Sequence, residues 1–297
     1  MNITLLGPGA IGSLWAYHLC QSGHQVTLWG RGASGSNTFH LDQKPDITLA
    51  YNQLESLAKA DLVLVTVKAW QVEAALEPLI GHLHPDTMIV LMHNGMGTAT
   101  WLADKLGNNP LLLATTTHGA LRASEREIRH TGQGITHIGG INHAGKQCHF
   151  LKDVLAHSLP SVAWCDDIQA ALWNKLAINC AINPITAKYA ITNGELAKPE
   201  YHQELLEVVR EVHQVMIAEG VSIQLTELQA KVDDVVRLTA KNYSSMQQDI
   251  EHGRRSEINY ITGYLLRRAS AHQLELPYNQ ALYEHIQQME KENLSHE

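Results

Sequence analysis

A doubly wound, mainly parallel α/β sheet followed by an all-helical region is the fold class this sequence predicts, and three observations predict it. Through about residue 165, short apolar runs alternate with helix-patterned stretches, the pattern of parallel strands joined by crossover helices. From about Asp166 the strand-like runs stop and helix-patterned segments take over. At the start, Asn2-Ile3-Thr4-Leu5-Leu6 runs directly into Gly7-Pro8-Gly9-Ala10-Ile11-Gly12 and then into the helix-forming stretch Ser13 to Leu19.

The glycine turn is the most specific of the three. G-x-G-x-x-G between a strand and a helix is the form of a dinucleotide-binding βα turn. Gly7 permits the tight turn, Gly9 lets backbone N–H groups approach a pyrophosphate, and Gly12 lets the helix pack on the strand. The phosphates then lie at the positive end of the helix. The motif by itself is weak, but its place after a strand, before a helix and ahead of a second strand at Gln25-Val26-Thr27-Leu28-Trp29 favours a cofactor site over a plain turn. Gly7, Pro8, Gly9, Ala10, Ile11 and Gly12 are therefore candidate cofactor-binding residues of a Rossmann-type domain.

The remaining elements follow in order. Arg31 to Ser36 reads as a polar turn, and Asp46 to Leu49 as a weak strand. Asp61-Leu62-Val63-Leu64-Val65-Thr66-Val67 is the strongest strand, apolar at nearly every position as expected when both faces are covered. Trp70 to Leu83 carries Val72, Ala75, Leu76, Leu79 and Ile80 at helical spacing. Thr87 to Met92 is another buried strand, and Leu111 to Thr117, Ile135 to Ile138 and Val162 to Trp164 complete the set. Helices are expected over Ile168 to Ala181, Tyr201 to Glu219, Thr226 to Lys241, Glu257 to His272 and Tyr278 to Asn293. The seam near Pro160 and Asp166-Asp167 gives domains of residues 1–165 and 166–297, with the cleft between them as the default substrate site.

Composition excludes several classes. The chain has 297 residues, 44% hydrophobic and 18% charged, enough for two globular domains with real cores. A formal net charge of -8, without a Lys/Arg cluster, argues against nucleic-acid binding. The 4 cysteines lack metal-ligand spacing and read as thiols in a reducing compartment, and the 18 histidines form no metal-binding motif, so no metal is expected. No apolar run is long enough to cross a membrane and no basic leader precedes one, which points to a cytoplasmic location.

Arg31 bears on the cofactor. A βαβ unit that binds NAD usually carries Asp or Glu after its second strand, whereas this chain has Trp29-Gly30-Arg31. A guanidinium pairs with a 2′-phosphate that a carboxylate would repel, which favours NADPH over the alternative of a solvated surface arginine. Lys68, at the end of the strongest strand, offers a second positive charge. Farther on, Lys175, Asn179 and Asn183 recur at a spacing of four, each about 6 Å further along a helix and rotated by about 40°. The stripe either serves a small polar ligand or is a solvated face, with Asn183-Pro184 starting a new helix.

These stretches, taken together, resemble the ketopantoate reductase (2-dehydropantoate 2-reductase) family, in particular its enterobacterial form. The resemblance rests on Gly7 to Gly12, Val67-Lys68-Ala69-Trp70-Gln71-Val72, His93-Asn94-Gly95-Met96-Gly97-Thr98 and Thr115 to His118. It continues through Gly134 to Gly139, Leu172-Trp173-Asn174-Lys175-Leu176-Ala177, Asn193-Gly194-Glu195-Leu196, Ser244 to Ile250 and Glu257 to Gly263. The match is poorest from Ala33 to Asp46. The resemblance implies NADPH-dependent reduction of ketopantoate in pantothenate and coenzyme A biosynthesis. Lys175 would protonate the ketone oxygen, and Glu257 would lie at the nicotinamide and substrate. Asn94 would touch both cofactor and substrate. Asn179, Asn183, Asn193 and Ser245 would bind substrate, Ala120 would contact the cofactor, and Arg31 and Lys68 would hold the 2′-phosphate. Burial would lower the pKa of Lys175 and Glu257 would raise it, a balance the sequence leaves open. A reductase of another 2-oxo acid, and a non-catalytic NADPH-binding regulator that would need no proton donor, are the alternatives. Monomer and homodimer stay equally open.

Overall fold

The computed structural model describes residues 1–294. The chain divides into two units, Met1–His93 with Thr98–Ala171, and Asn94–Gly97 with the chain from Leu172 onward. The seam thus lies six residues beyond the 165/166 boundary expected from the sequence. The start of the next helix packs on the sheet: a Cβ on Gly139 would meet the Cys165 carbonyl and, at 2.9 Å, Cβ of Ile168. Asn94–Gly97 joins the second unit because Met96 N–H donates to the Tyr260 carbonyl at 2.9 Å.

The first unit runs β1 (Asn2–Leu6), α1 (Ala10–Gln21), β2 (Gln25–Trp29), β3 (Gly35–Leu41), β4 (Ile47–Tyr51), α2 (Leu54–Ala58) and β5 (Leu62–Val65). A 3-10 turn at Ala69–Gln71 leads into α3 (Val72–Ile80), β6 (Met88–Met92), α4 (Ala99–Lys105), β7 (Leu111–Thr116), β8 (Gly119–Arg122) and β9 (Glu127–Gly132). The unit closes with β10 (Thr136–Gly140), α5 (His143–Lys146), α6 (Leu151–Ser158) and β11 (Val162–Trp164). The sheet order is β11-β10-β7-β6-β5-β1-β2-β4-β3-β9-β8. Pairing is parallel throughout the centre, from β4 through β2, β1, β5 and β6 to β7. Every residue of β5 and of β6 is buried, so their unbroken apolar runs reflect cover on both faces. Helix α1 adds Leu14, Trp15 and Leu19, all fully buried, to the core formed with Leu5, Leu28, Leu64 and Val90.

Three strands depart from the sequence reading. β3 takes in the last two residues of the stretch that reads as a polar turn and runs on through residues 37–41, where no element is expected, because only Phe39 and Leu41 of its seven residues point to the core. A hydroxyl pair, Thr38 with Thr48 at 2.8 Å, ties its outer face to β4. β8 and β9 form a hairpin at the sheet's end, where one buried apolar residue, Ile128, is too little to register as a strand pattern.

In the second unit, α7 (Ile168–Tyr189, begun in the first) precedes a 3-10 turn at Asn193–Ala197, then α8 (Pro199–Ala218), α9 (Leu225–Leu238), α10 (Ser245–Glu251), α11 (Thr262–Ala271) and α12 (Pro277–Leu294). α7 does not stop at Pro184. Proline there leaves the Cys180 carbonyl without its helical donor, yet residues 181–187 are all buried and packing holds the helix together. The expected helix from Glu257 begins only at Thr262, and residues 257–261 form a turn in which the Glu257 carbonyl accepts from Tyr260 N–H (2.9 Å) and Ile261 N–H (3.0 Å). The start of α12 is capped by the buried Glu211 carboxylate, which accepts from the N–H groups of Tyr278 (2.9 Å) and Asn279 (2.8 Å). Among the described residues, no helix is long and apolar enough to cross a membrane.

Candidate active site

The candidate cofactor residues of the first unit rest on backbone geometry. Gly7 holds φ +94°, and a Cβ there would press on Val67. A Cβ on Gly12 would collide with the Gly7 carbonyl and the Thr66 hydroxyl, which itself donates to Gly7 O at 2.8 Å. Gly9 differs, because no atom lies within 4 Å of where its Cβ would stand. As the N-cap of α1 it also supplies no side-chain cap, so the first N–H groups of the helix keep their donors for an anion. Pro8, Ala10 and Ile11 complete this turn, half-buried. The residues present fit the pyrophosphate of a dinucleotide.

At the end of β2 the backbone around Arg31 is clamped. Asn52, in the left-handed region at φ +53°, accepts from Gly30 N–H at 2.9 Å and donates to the carbonyls of Gly30 (3.0 Å) and Gly32 (2.9 Å). The Tyr51 hydroxyl donates to the Arg31 carbonyl at 2.9 Å, and the Arg31 side chain is exposed. A charged side chain on a fixed turn loses less entropy on binding phosphate than one on a loose loop. Lys68 lies just beyond β5, half-buried, with its N–H donating to Gln71 Oε1 at 3.1 Å. Ala120, in β8, packs against the edge of the core.

The second unit brings Asn94, Lys175 and Glu257 into one arrangement. Asn94 Nδ2 donates to Glu257 Oε2 at 3.0 Å, and Glu257 is only 6% exposed. The turn that carries Glu257 is pinned on both sides: Ser256 N–H donates to Glu290 Oε1 at 2.7 Å, and Asn259 Oδ1 accepts from Tyr283 Oη at 2.7 Å. Gly95, at φ +82°, lets the Asn94 segment lie directly on the Tyr260 carbonyl. Lys175 retains some exposure along α7, but its ammonium is closely surrounded by protein. Desolvation pulls its pKa down from 10.5 to about 8, with Glu257 opposing the fall. Burial therefore prevails in the balance that the sequence left open. Lys175 is an ammonium at neutral pH, yet it releases its proton more readily than an exposed lysine.

Because α7 is continuous, Asn179 and the buried Asn183 follow Lys175 along one helix, which removes the reading of Asn183 as a cap. The Thr186 hydroxyl meets Ser244 Oγ at 2.8 Å, and Ser244 Oγ accepts from Gln247 N–H at 3.1 Å, which caps α10. This chain ties α7 to the start of α10, where Ser245 is the exposed first residue. Asn193 is held elsewhere: its Nδ2 donates to Thr239 Oγ1 at 2.9 Å, while its buried Oδ1 has no protein partner and is an acceptor suited to a ligand hydroxyl. Sequence reasoning missed Tyr51, Asn52, Thr186 and Asn259, which position the site rather than form it. For α10 a signal existed, the Ser-x-x-Gln capping pattern at Ser244 to Gln247.

A glycine turn at an uncapped helix start, an arginine after the second strand, and a lysine of lowered pKa beside a buried carboxylate define a nicotinamide-dependent oxidoreductase. Comparison with known proteins narrows the class. The family described as Ketopantoate reductase PanE/ApbA matches residues 3–143, and its C-terminal counterpart matches residues 167–290. The 2-dehydropantoate 2-reductase of Vibrio cholerae serotype O1 is 48% identical over 291 residues, covering 98% of each chain. That of Shigella flexneri is 43% identical over 296 residues, 98% of this chain and 96% of the relative. The chain belongs to the ketopantoate reductase family. Among solved structures, a PanE/ApbA family ketopantoate reductase from Ralstonia eutropha JMP134 superposes with a TM-score of 0.87 at 25% identity, covering 99% of this chain and 100% of the other. A dimeric ketopantoate reductase from Staphylococcus aureus gives 0.80 at 25% identity, over 98% and 99%. D-mandelate dehydrogenase, in a ternary structure with NADH and anilino(oxo)acetate, shares the fold at a TM-score of 0.89 and 22% identity, over 99% of each chain.

Proposed function

We propose that the protein reduces 2-dehydropantoate to pantoate with NADPH, the reduction that feeds pantothenate and coenzyme A formation. The observation that carries this reading is Lys175, an ammonium whose pKa is lowered to about 8 and which faces the field of the buried Glu257, itself bonded to Asn94. When bound, NADPH supplies the hydride that adds to the carbonyl carbon. Lys175 Nζ–H stabilises the charge that grows on the carbonyl oxygen and delivers the proton that turns it into a hydroxyl. Glu257 accepts a hydrogen bond from the substrate hydroxyl and raises the pKa of Lys175, favouring the charged ammonium. Asn94 fixes the Glu257 carboxylate and offers its amide to cofactor and substrate. Asn179, Asn183 and Ser245 bind the substrate's polar groups, and Asn193 accepts from a hydroxyl through Oδ1. Gly7 to Gly12 receive the pyrophosphate, Arg31 and Lys68 the 2′-phosphate, and Ala120 lies against the cofactor.

The test is the rate of NADPH oxidation with ketopantoate set against a panel of other 2-oxo acids. A kcat/KM for ketopantoate at least a hundredfold above the rest is expected. Preference for an aromatic 2-oxo acid would move the protein to another substrate within the family, and no oxidation with any of them would leave a binding protein.

A further inference from the structure

The hairpin of β8 and β9 carries three arginines, and they are treated differently. Arg126 is ion-paired with Asp46, and Arg129 with Glu127 at 2.7 Å. Arg122, exposed, reaches back 114 residues instead: its Nη1 donates to the Pro8 carbonyl of the glycine turn at 2.6 Å, and its Nη2 to the Glu125 carbonyl at 2.9 Å. Both partners are neutral carbonyls, so these bonds orient the guanidinium without cancelling its charge, and they use two of its five N–H donors.

The same neighbourhood contains the Arg31 turn. A Cβ on Gly30 would lie 3.1 Å from Cδ of Pro8 and in collision with the Tyr51 hydroxyl, so Pro8, Gly30 and Tyr51 meet at one place. The Tyr51 hydroxyl holds the Arg31 carbonyl at 2.9 Å. Burial raises the pKa of Tyr51 while Arg122 and Arg31 both pull it down, which places both positive charges within electrostatic reach of that hydroxyl. The Arg122 guanidinium thus lies at the glycine turn, and the backbone of the Arg31 turn meets the same place through Gly30 and Tyr51.

We infer that Arg122 is a second arginine for the 2′-phosphate of the cofactor, acting with Arg31 to select a 2′-phosphorylated adenosine. The inference rests on the reading of Arg31 proposed above. A dianionic phosphate monoester is matched by two guanidinium groups better than by one, since each supplies a fork of N–H donors and a full charge. Arg122 is prepositioned by its carbonyl bonds, and Arg31 by Tyr51 and Asn52.

The experiment titrates the full-length protein, Arg122→Gln, Arg122→Lys and Arg31→Ala with 2′,5′-ADP and with 5′-ADP by calorimetry, and with NADPH and NADH by fluorescence. Thermal unfolding is followed in parallel. Arg122→Gln is expected to weaken 2′,5′-ADP and NADPH about tenfold to fiftyfold while changing 5′-ADP and NADH less than threefold, and Arg122→Lys to recover part of the loss. Unchanged binding of all four ligands, or an equal loss for all four, overturns the inference, the latter assigning Arg122 to the hairpin scaffold. If Arg31→Ala loses the preference for 2′,5′-ADP and Arg122→Gln keeps it, only the inference falls. If the parent protein itself shows no preference, the reading of Arg31 falls as well. Should Arg122→Gln fail to fold, Arg122→Lys carries the test: a preference for the 2′-phosphate reduced from the parent's at an unchanged unfolding midpoint supports the inference, and an undiminished preference overturns it.

Discussion

Between Gly7 and Gly12 the first unit presents six consecutive residues whose backbone is the candidate site, whereas the second unit assembles its candidate site from the side chains of Asn94, Lys175 and Glu257, with 163 residues separating the bonded pair Asn94 and Glu257. A backbone site tolerates exchange of its side chains but not an added Cβ, as the space around Gly12 and Gly7 shows. A side-chain site behaves oppositely. Each group is supplied once, so deleting one atom set removes a function, and each is set by the segment that carries it, so a shift of that segment is also costly.

The largest effect that sharpens this contrast is expected at Lys175. Lys175→Ala should lower single-turnover hydride transfer at saturating ketopantoate by about 10² to 10⁴, or roughly 3 to 5 kcal/mol of barrier. NADPH affinity and the unfolding midpoint should stay as in the parent. Transfer within tenfold of the parent rate would show that another group delivers the proton. Lys175→Arg should restore little, because a guanidinium holds its proton too tightly.

Arg31→Ala comes next, at a side chain proposed for the otherwise backbone-built candidate cofactor site. NADPH affinity should fall about ten- to a hundredfold, the loss of a charge-assisted contact of about 1.5 to 3 kcal/mol, with NADH affinity little changed. Equal losses for both cofactors would take Arg31 away from the 2′-phosphate.

Gly95→Ala tests whether a segment shift harms the side-chain site. Its Cβ would strike the Tyr260 carbonyl at a backbone φ of +82°, so the turn bearing Glu257 must move. A displacement of that kind should cut kcat by roughly tenfold to a hundredfold, with a smaller loss of NADPH affinity because the phosphate contacts lie elsewhere. A parent-like kcat would mean that the Asn94 to Glu257 bond does not have to be held closely.

A smaller effect is expected in the pH profile. Lys175 must be protonated to serve as the acid, and its folded pKa is lowered to about 8 by burial. The rate of reduction should therefore fall as pH rises through about 8. The Glu257 carboxylate raises this pKa, so Glu257→Gln should move the falling limb to lower pH. A limb that stays in place, or moves up, would contradict the assignment of that limb to Lys175.

The smallest effect separates the units by acid stability. His18, in α1 directly after the glycine turn, packs near His118 and His130, whose rings are bonded at 3.1 Å, and its Nε2 is buried with no partner. Burial lowers its pKa from 6.5 to about 4, with Lys44, His130 and His118 adding to the fall and Asp42 opposing it. A histidine whose folded pKa is depressed contributes stability above its unfolded pKa and loses it as pH falls toward the folded value. The unfolding midpoint should drop by a few degrees between pH of about 6.5 and about 4, and His18→Gln should flatten that slope. An unchanged slope would clear His18 of the effect.

Much of the first unit was legible because its signals are contiguous. Apolar runs such as Leu62 to Val65 declare a doubly covered strand, and Gly7 to Gly12 declare a turn that only glycine can make. β3 and the β8–β9 hairpin were not legible, because these strands at the far end of the sheet bury at most two residues each and leave the rest polar or half-exposed. The hairpin matters most among these, since it is what delivers Arg122 to Pro8.

By itself the sequence determined the α/β class, the glycine turn, the stripe of Lys175, Asn179 and Asn183, and the family resemblance on which their roles were first read. Periodicity and turn chemistry are local properties, set by residues a few positions apart. Only the tertiary structure decided that α7 runs unbroken through Pro184, that Glu257 sits on a turn within 3.0 Å of Asn94, and that burial outweighs Glu257 in setting the acidity of Lys175. Those outcomes depend on what distant segments press against, and desolvation and close approach are properties of the packed molecule rather than of any stretch of its chain.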